Sequence, residues 1–246
     1  MATTTKPMPV FWADRARAHL GEDRFERALE DPLSLDLLAW NVFQTLETHY
    51  DEDWLAYRLQ QFGGTGVTAP VRVQLWTGEH ADPLLQPSRG YVAAIRERAS
   101  AAGATEADLA QFRAPIEVPV RIESPDVLCL VDTVLDELDR GTKGRDRLLE
   151  LIDAGIEHAR HLSKTLAVAV VYAGGSPAAR QLSVRMEQLR RDLPRELPHQ
   201  PRAGDIQLRE VSWGQLLRVW ESEVDYLQLP SSPRPFLEHV KRNGLY

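Results

Sequence analysis

The sequence predicts an α/β domain in which helices flank a central mixed β-sheet and a helical segment precedes it. Three observations lead there. Two β-rich runs, Ile116–Ile122 and Val127–Leu135, are separated only by Glu123-Ser124-Pro125-Asp126, a turn-forming stretch, and read as a hairpin. A further run, Thr165–Tyr172, is apolar almost throughout, as a strand covered on both faces should be. Helical periodicity fills the intervals between strands, and alternating elements of this kind place helices against a sheet.

The elements follow in order. Phe11–Leu29 carries Trp12, Ala16, Leu20, Phe25 and Leu29 at helical spacing, and Asp31-Pro32-Leu33-Ser34 breaks it. Leu38, Val42, Thr45 and Leu46 share one face of a helix over Leu35–Thr48. Asp53–Phe62 reads as a helix ended by Gly63-Gly64-Thr65-Gly66. Val71–Trp76 alternates as a strand, and helices are expected over Arg89–Ala101 and Thr105–Phe112. In the hairpin, Ile116, Val118, Val120 and Ile122 are expected to face one way. Gly144–Leu162 reads as a long helix, Ser176–Leu193 as another and Pro194–Gly204 as a loop. A strand at Ile206–Val211, a helix at Trp213–Glu221 and a terminal helix at Phe236–Arg242 complete the chain. One domain over residues 1–246 is expected, with N-terminal helices at 10–62, a core at 70–222 and a C-terminal helix at 232–246.

Composition narrows the function. Hydrophobic residues make up 43% of the 246, and charged residues 26%, an ordinary globular balance. One cysteine, Cys129, excludes an internal disulfide and points to a reducing, cytoplasmic setting. Met1–Pro9 lacks the apolar stretch of a signal peptide, and no run of about 20 apolar residues would span a bilayer. A net charge of −7 does not support autonomous nucleic-acid binding, which draws on a basic surplus. A protein partner or a second copy of the chain fits that balance better.

Several active-site types are excluded. The chain has no glycine-rich phosphate loop, no His-Glu-x-x-His and no paired cysteines. His158 and His161, three apart on a helix, read as a solvated face rather than half a metal site, and Cys129 as a core residue. The arginines between Arg180 and Arg202 are interleaved with Glu187, Asp192 and Glu196, which reads as a solvated helix rather than a basic binding face.

The hairpin Ile116–Val134 carries the one resemblance. With Leu38–Glu47 before it, Arg145–Gly155 behind it and Val211-Ser212-Trp213 later, it resembles the core of the PD-(D/E)XK, or restriction-endonuclease-like, nuclease superfamily. That resemblance implies an aspartate on the first hairpin strand, a Glu-x-Lys or Asp-x-Lys closing the second and a glutamate from an earlier helix, with the carboxylates holding Mg²⁺. In this register Pro119 takes the first aspartate's position and Val134 the lysine's, while Asp132 and Glu47 remain as carboxylates. Arg147 stands where some relatives carry a glutamine, and Asp126 reads as a turn residue.

Three functions follow. The first is a degenerate, catalytically inactive nuclease fold acting as a binding or scaffold subunit without a cofactor, which the family context would place in DNA processing or phage defence. The second is an active Mg²⁺-dependent endonuclease using Glu47, Glu117 and Asp132, with metal on Glu47 and Asp132 and the lost charge supplied by Lys143 or Lys164. The third is a protein-interaction module of unrelated α/β fold.

Overall fold

The computed structural model describes residues 7–76, 85–101, 103, 105, 113–135 and 146–246. Five strands form one sheet in chain order: β1 (Arg72–Trp76), β2 (Val118–Glu123), β3 (Val127–Val134), β4 (Thr165–Tyr172) and β5 (Gln207–Ser212). β1 and β2 pair antiparallel, as do β2 and β3, whereas β3, β4 and β5 are parallel. The mixed sheet therefore has the hairpin at its centre.

The helices are α1 (Ala13–Leu20), α2 (Glu22–Glu30), α3 (Leu35–Ala39), α4 (Glu52–Gly63), α5 (Arg89–Ala101), α6 (Arg147–His161), α7 (Pro177–Glu196), α8 (Trp213–Glu223) and α9 (Arg234–Arg242). α3 runs on as a π-helical turn, Trp40–Gln44. They form two layers. The N-terminal helices, α4, α8 and α9 share a core with Cys129, Val131, Ala167 and Ala169. α5, α6 and α7 share a second core with Leu128, Leu130, Val168 and Val170. Neighbouring residues of β3 and β4 enter opposite cores, as the pleat requires, which is why these strands are apolar on both faces. The helix expected at Thr105–Phe112 falls largely outside the described residues, as do Gly144 and Arg145.

Three expectations are corrected by local chemistry. The helix expected over Phe11–Leu29 is two helices, because Gly21 adopts φ 81° and ψ 151° and ends α1. α7 continues through Pro194 to Glu196 instead of stopping before it. Its last turns are held by buried Leu189, Leu193 and Leu197 and by Arg185, whose Nη1 donates to Glu196 Oε1 at 2.7 Å. Burial on that scale outweighs the one backbone hydrogen bond a proline removes.

The third correction lies in the hairpin. Ile116 and Val118 pack in the α6 core, but Val120 and Ile122 pack in the N-terminal core. The pairing explains the switch: Leu75 opposes Val120 but Trp76 opposes Val118, so Pro119 is an extra residue on β2. A bulge is where a central strand tolerates a proline, and the extra residue turns the following side chains to the other face.

Gly155 lets α6 approach the sheet, since a Cβ there would lie 2.8 Å from Leu130 Cδ1. Cys129 is fully buried on β3, and burial pushes its thiol pKa up. A water-soluble thiol reagent is expected to leave Cys129 unmodified in the native protein and to react stoichiometrically once urea unfolds it. Rapid native labelling would contradict the packing of β3.

Candidate functional site

Asp132 enters the α6 side of the sheet near the end of β3 and is 6% exposed. Opposite it stands Arg147, the first residue of α6. Asp146 fixes that helix end, its Oδ1 accepting from Leu149 N at 3.0 Å. Arg147 Nε donates to Asp132 Oδ2 at 3.2 Å and its Nη2 to Oδ1 at 3.3 Å. Nη2 also donates to the Glu117 carbonyl at 2.8 Å. A cation in the first turn of a helix opposes the helix dipole. Asp132 and that carbonyl supply the compensating interactions.

Glu117 comes to the same end of the sheet from the other layer. Its Oε1 accepts from Arg24 Nη1 at 2.5 Å. Arg24 in turn grips Asp36 with two bonds of 2.7 Å, one from Nε to Oδ2 and one from Nη2 to Oδ1. The hydrogen bonds to Asp36, joined by the charges of Asp36 and Glu117, hold the Arg24 guanidinium above its ordinary pKa despite partial burial. The order across the sheet end is thus Asp36, Arg24, Glu117, Arg147, Asp132, with the link from Glu117 to Arg147 made by the Glu117 backbone carbonyl and the other links by carboxylates. An open depression beside it is lined in part by Arg24, Asp36, Glu117 and Leu135.

The structure does not bring Glu47 into this group. Asp36 and Glu47 stand at opposite ends of one helix, 11 positions apart, roughly 16 Å at the rise of an α-helix. Glu47 is exposed and accepts from Gln44 Nε2 at 2.7 Å. The early helix therefore delivers Asp36 to the sheet end. Glu117 and Asp132 are joined through Arg147, but their carboxylates lie in different layers. Val134 packs in the α6 core on the same side as Asp132. Lys143 lies outside the described residues.

Lys164 sits at the hairpin turn, donating to Glu123 Oε1 and to the Ser124 carbonyl, each at 2.6 Å. Thr165 pairs with Val127 and Val170 with Asp132, so Lys164 is six rows from the Asp132 row, roughly 20 Å along the sheet. Burial alone would raise the Glu123 carboxyl, but the bond from Lys164 and the charges of Arg121 and Lys164 hold it low. Asp126 is an exposed turn residue whose carbonyl accepts from Thr165 N.

The remaining candidates also have places. Exposed His161 and half-buried His158 lie on α6, where burial and the Arg121 charge lower the His158 pKa. Among the described residues, no three His, Cys, Asp or Glu side chains form a group that could hold a metal ion. On α7, Arg185 pairs with Asp146 and Glu196, and Arg190 with Glu210, as a solvated helix with alternating charge should. No described helix is long and apolar enough to cross a membrane.

Three buried carboxylates, Glu150, Asp153 and Glu223, escaped sequence reasoning, and the last two join separate segments. Asp153 of α6 is fully buried. Its Oδ2 accepts from Ser88 N at 2.7 Å, and its Oδ1 lies 2.9 Å from Ser88 Oγ, 2.7 Å from Gln200 Nε2 and 2.8 Å from His199 Nε2. Ser88 Oγ also accepts from Tyr91 N at the start of α5, so this trio is a clasp between segments and not a nucleophile with its base. Glu223 of α8 is 1% exposed and receives Arg58 Nη2 at 2.6 Å and Trp54 Nε1 at 2.9 Å. A lone acid in a helical pattern is not distinguishable from a surface acid until its tertiary partners are known.

No family model, no curated protein and no solved structure matches this chain.

Proposed function

We propose that this protein is a degenerate PD-(D/E)XK nuclease fold retained as a non-cleaving binding or scaffold subunit. The observation that carries the reading is the bidentate contact of Arg147 with Asp132, the surviving carboxylate of the hairpin. A divalent cation placed about 4 Å from that guanidinium would meet repulsion of about 4 kcal/mol for each of its two charges at an effective dielectric near 20. The donor set thus fits a fixed organic cation better than a metal. The hairpin-centred mixed sheet supports the ancestry, and Pro119 at a bulge and Val134 in a core support the loss.

The expected result is that purified protein leaves plasmid DNA and single-stranded DNA intact in Mg²⁺ and in Mn²⁺. Cutting by the wild type that is abolished in Asp132→Ala would overturn the reading and restore an active metal-dependent endonuclease.

A further inference from the structure

Four aromatic side chains stand exposed where α4 meets the end of α8: Tyr50 (66%), Tyr57 (57%), Tyr226 (42%) and Trp54 (41%). They form two ring pairs. Tyr50 and Tyr226 have ring centroids 5.5 Å apart, and buried His49 stacks against both. Trp54 stacks on Tyr57 at 5.2 Å, with Arg58 over the Trp54 ring at 4.7 Å. Glu223 ties the two halves together. It accepts from Trp54 Nε1 and from Arg58, and His49 Nε2 stands 3.5 Å from its Oε2. His49 Nδ1 accepts from Asp51 N at 3.0 Å, which leaves the proton on Nε2, facing Glu223. Burial alone would raise the Glu223 carboxyl, but the bond from Trp54 and the Arg58 charge hold its pKa below the ordinary value. The rings are thus held from beneath, so docking on them would order few side chains.

Apart from Arg58, which is paired with Glu223, and Lys241, which is paired with Glu221, the charge around the rings is negative. The two segments that carry these rings, residues 47–57 and 219–233, contain no lysine or arginine. Glu47, Asp51, Glu52, Asp53 and Asp225 are exposed along the same two segments, and none has an ion-pair partner among the described residues. Tyrosine and tryptophan faces bind cations, guanidinium most of all, and a carboxylate rim strengthens that selection. A base-stacking platform for nucleic acid needs the opposite rim.

We propose that this face docks an arginine- and lysine-bearing segment of a partner protein. The proposal names a partner chemistry for the binding role above, but it does not depend on the ancestry of the hairpin. DNA cleavage by the wild type would remove that reading and leave this one standing.

The test uses the full chain and three fluorescent probes read by anisotropy: a peptide of alternating arginine and glycine, one of alternating glutamate and glycine, and an oligothymidylate. The basic peptide is expected to bind saturably, more weakly as salt rises, and the other two not at all. Tyr50→Ala with Tyr57→Ala should weaken it at least about tenfold, since exposed aromatic anchors carry most of such a contact. Glu52→Gln with Asp53→Asn should weaken it and flatten its salt dependence, and this pair carries the test if the tyrosine variant does not fold. No saturable binding, affinity unchanged in these variants, or preference for the oligothymidylate would overturn the proposal.

Discussion

Arg147→Met is expected to destabilise the protein by about 2–3 kcal/mol, below the 3–5 typical of breaking a fully buried ion pair because Arg147 is partly solvent-exposed. The Asp132 side chain is only 8% exposed, and Arg147 is the cation placed against it. Removing the guanidinium leaves a desolvated carboxylate and takes the Nη2 bond from the Glu117 carbonyl. For a chain of this length the loss corresponds to a fall in Tm of roughly 5–10 °C. The cost should depend on Asp132. In an Asp132→Asn background the same substitution should cost less than half as much, because no charge is stranded. Urea unfolding of the four proteins of that cycle reads the coupling directly. Additive losses would mean that Arg147 and Asp132 do not act as a pair.

Asp153→Ala is expected to cost more, about 3–5 kcal/mol, because Asp153 is wholly buried and its substitution strands several donors at once. Ser88 and His199 with Gln200 lie on separate segments, one leading into α5 and the other following α7. Their shared acceptor on α6 joins them, beside the direct packing of the His199 ring against Gly90. Loosening should therefore be local before it is global. Amide exchange is expected to rise first around Ser88–Tyr91 and around His199–Gln200, with β3 and β4 still protected. Asp153→Asn keeps one acceptor oxygen and should lose less. A wild-type exchange pattern in Asp153→Ala would show that the clasp contributes nothing to docking α5.

The parts of the fold that could be read from sequence are those whose own period decides them. Thr165–Tyr172 is a strand over the expected residues, because an eight-residue apolar run between two helices has few other uses. Pro119 was a harder case. Alternation alone puts Val118 and Val120 on one face, and only the pairing with β1 reveals the inserted residue that separates them. Pro194 misled in the other direction, since local backbone chemistry argued for a stop and the buried leucines of α7 carried the helix on.

The candidate site was legible only in part for the same reason. Asp132 could be found because the register of the hairpin resemblance puts a carboxylate at that position. Asp36 and Arg24 could not, because both sit in amphipathic helices where charges are ordinary, and only the packing of α2 and α3 against the hairpin turns them inward. Glu47 drew attention by position in a family pattern, yet the helix presents Asp36, about three turns earlier, to the sheet end.

Manganese titration followed by electron paramagnetic resonance tests the central assignment most directly, because it asks whether arginine has taken the metal's place at the hairpin. The expected spectrum is that of free aqueous Mn²⁺ throughout, unchanged by Asp132→Ala. One equivalent of Mn²⁺ bound by the wild type at sub-millimolar affinity and lost in Asp132→Ala would contradict it.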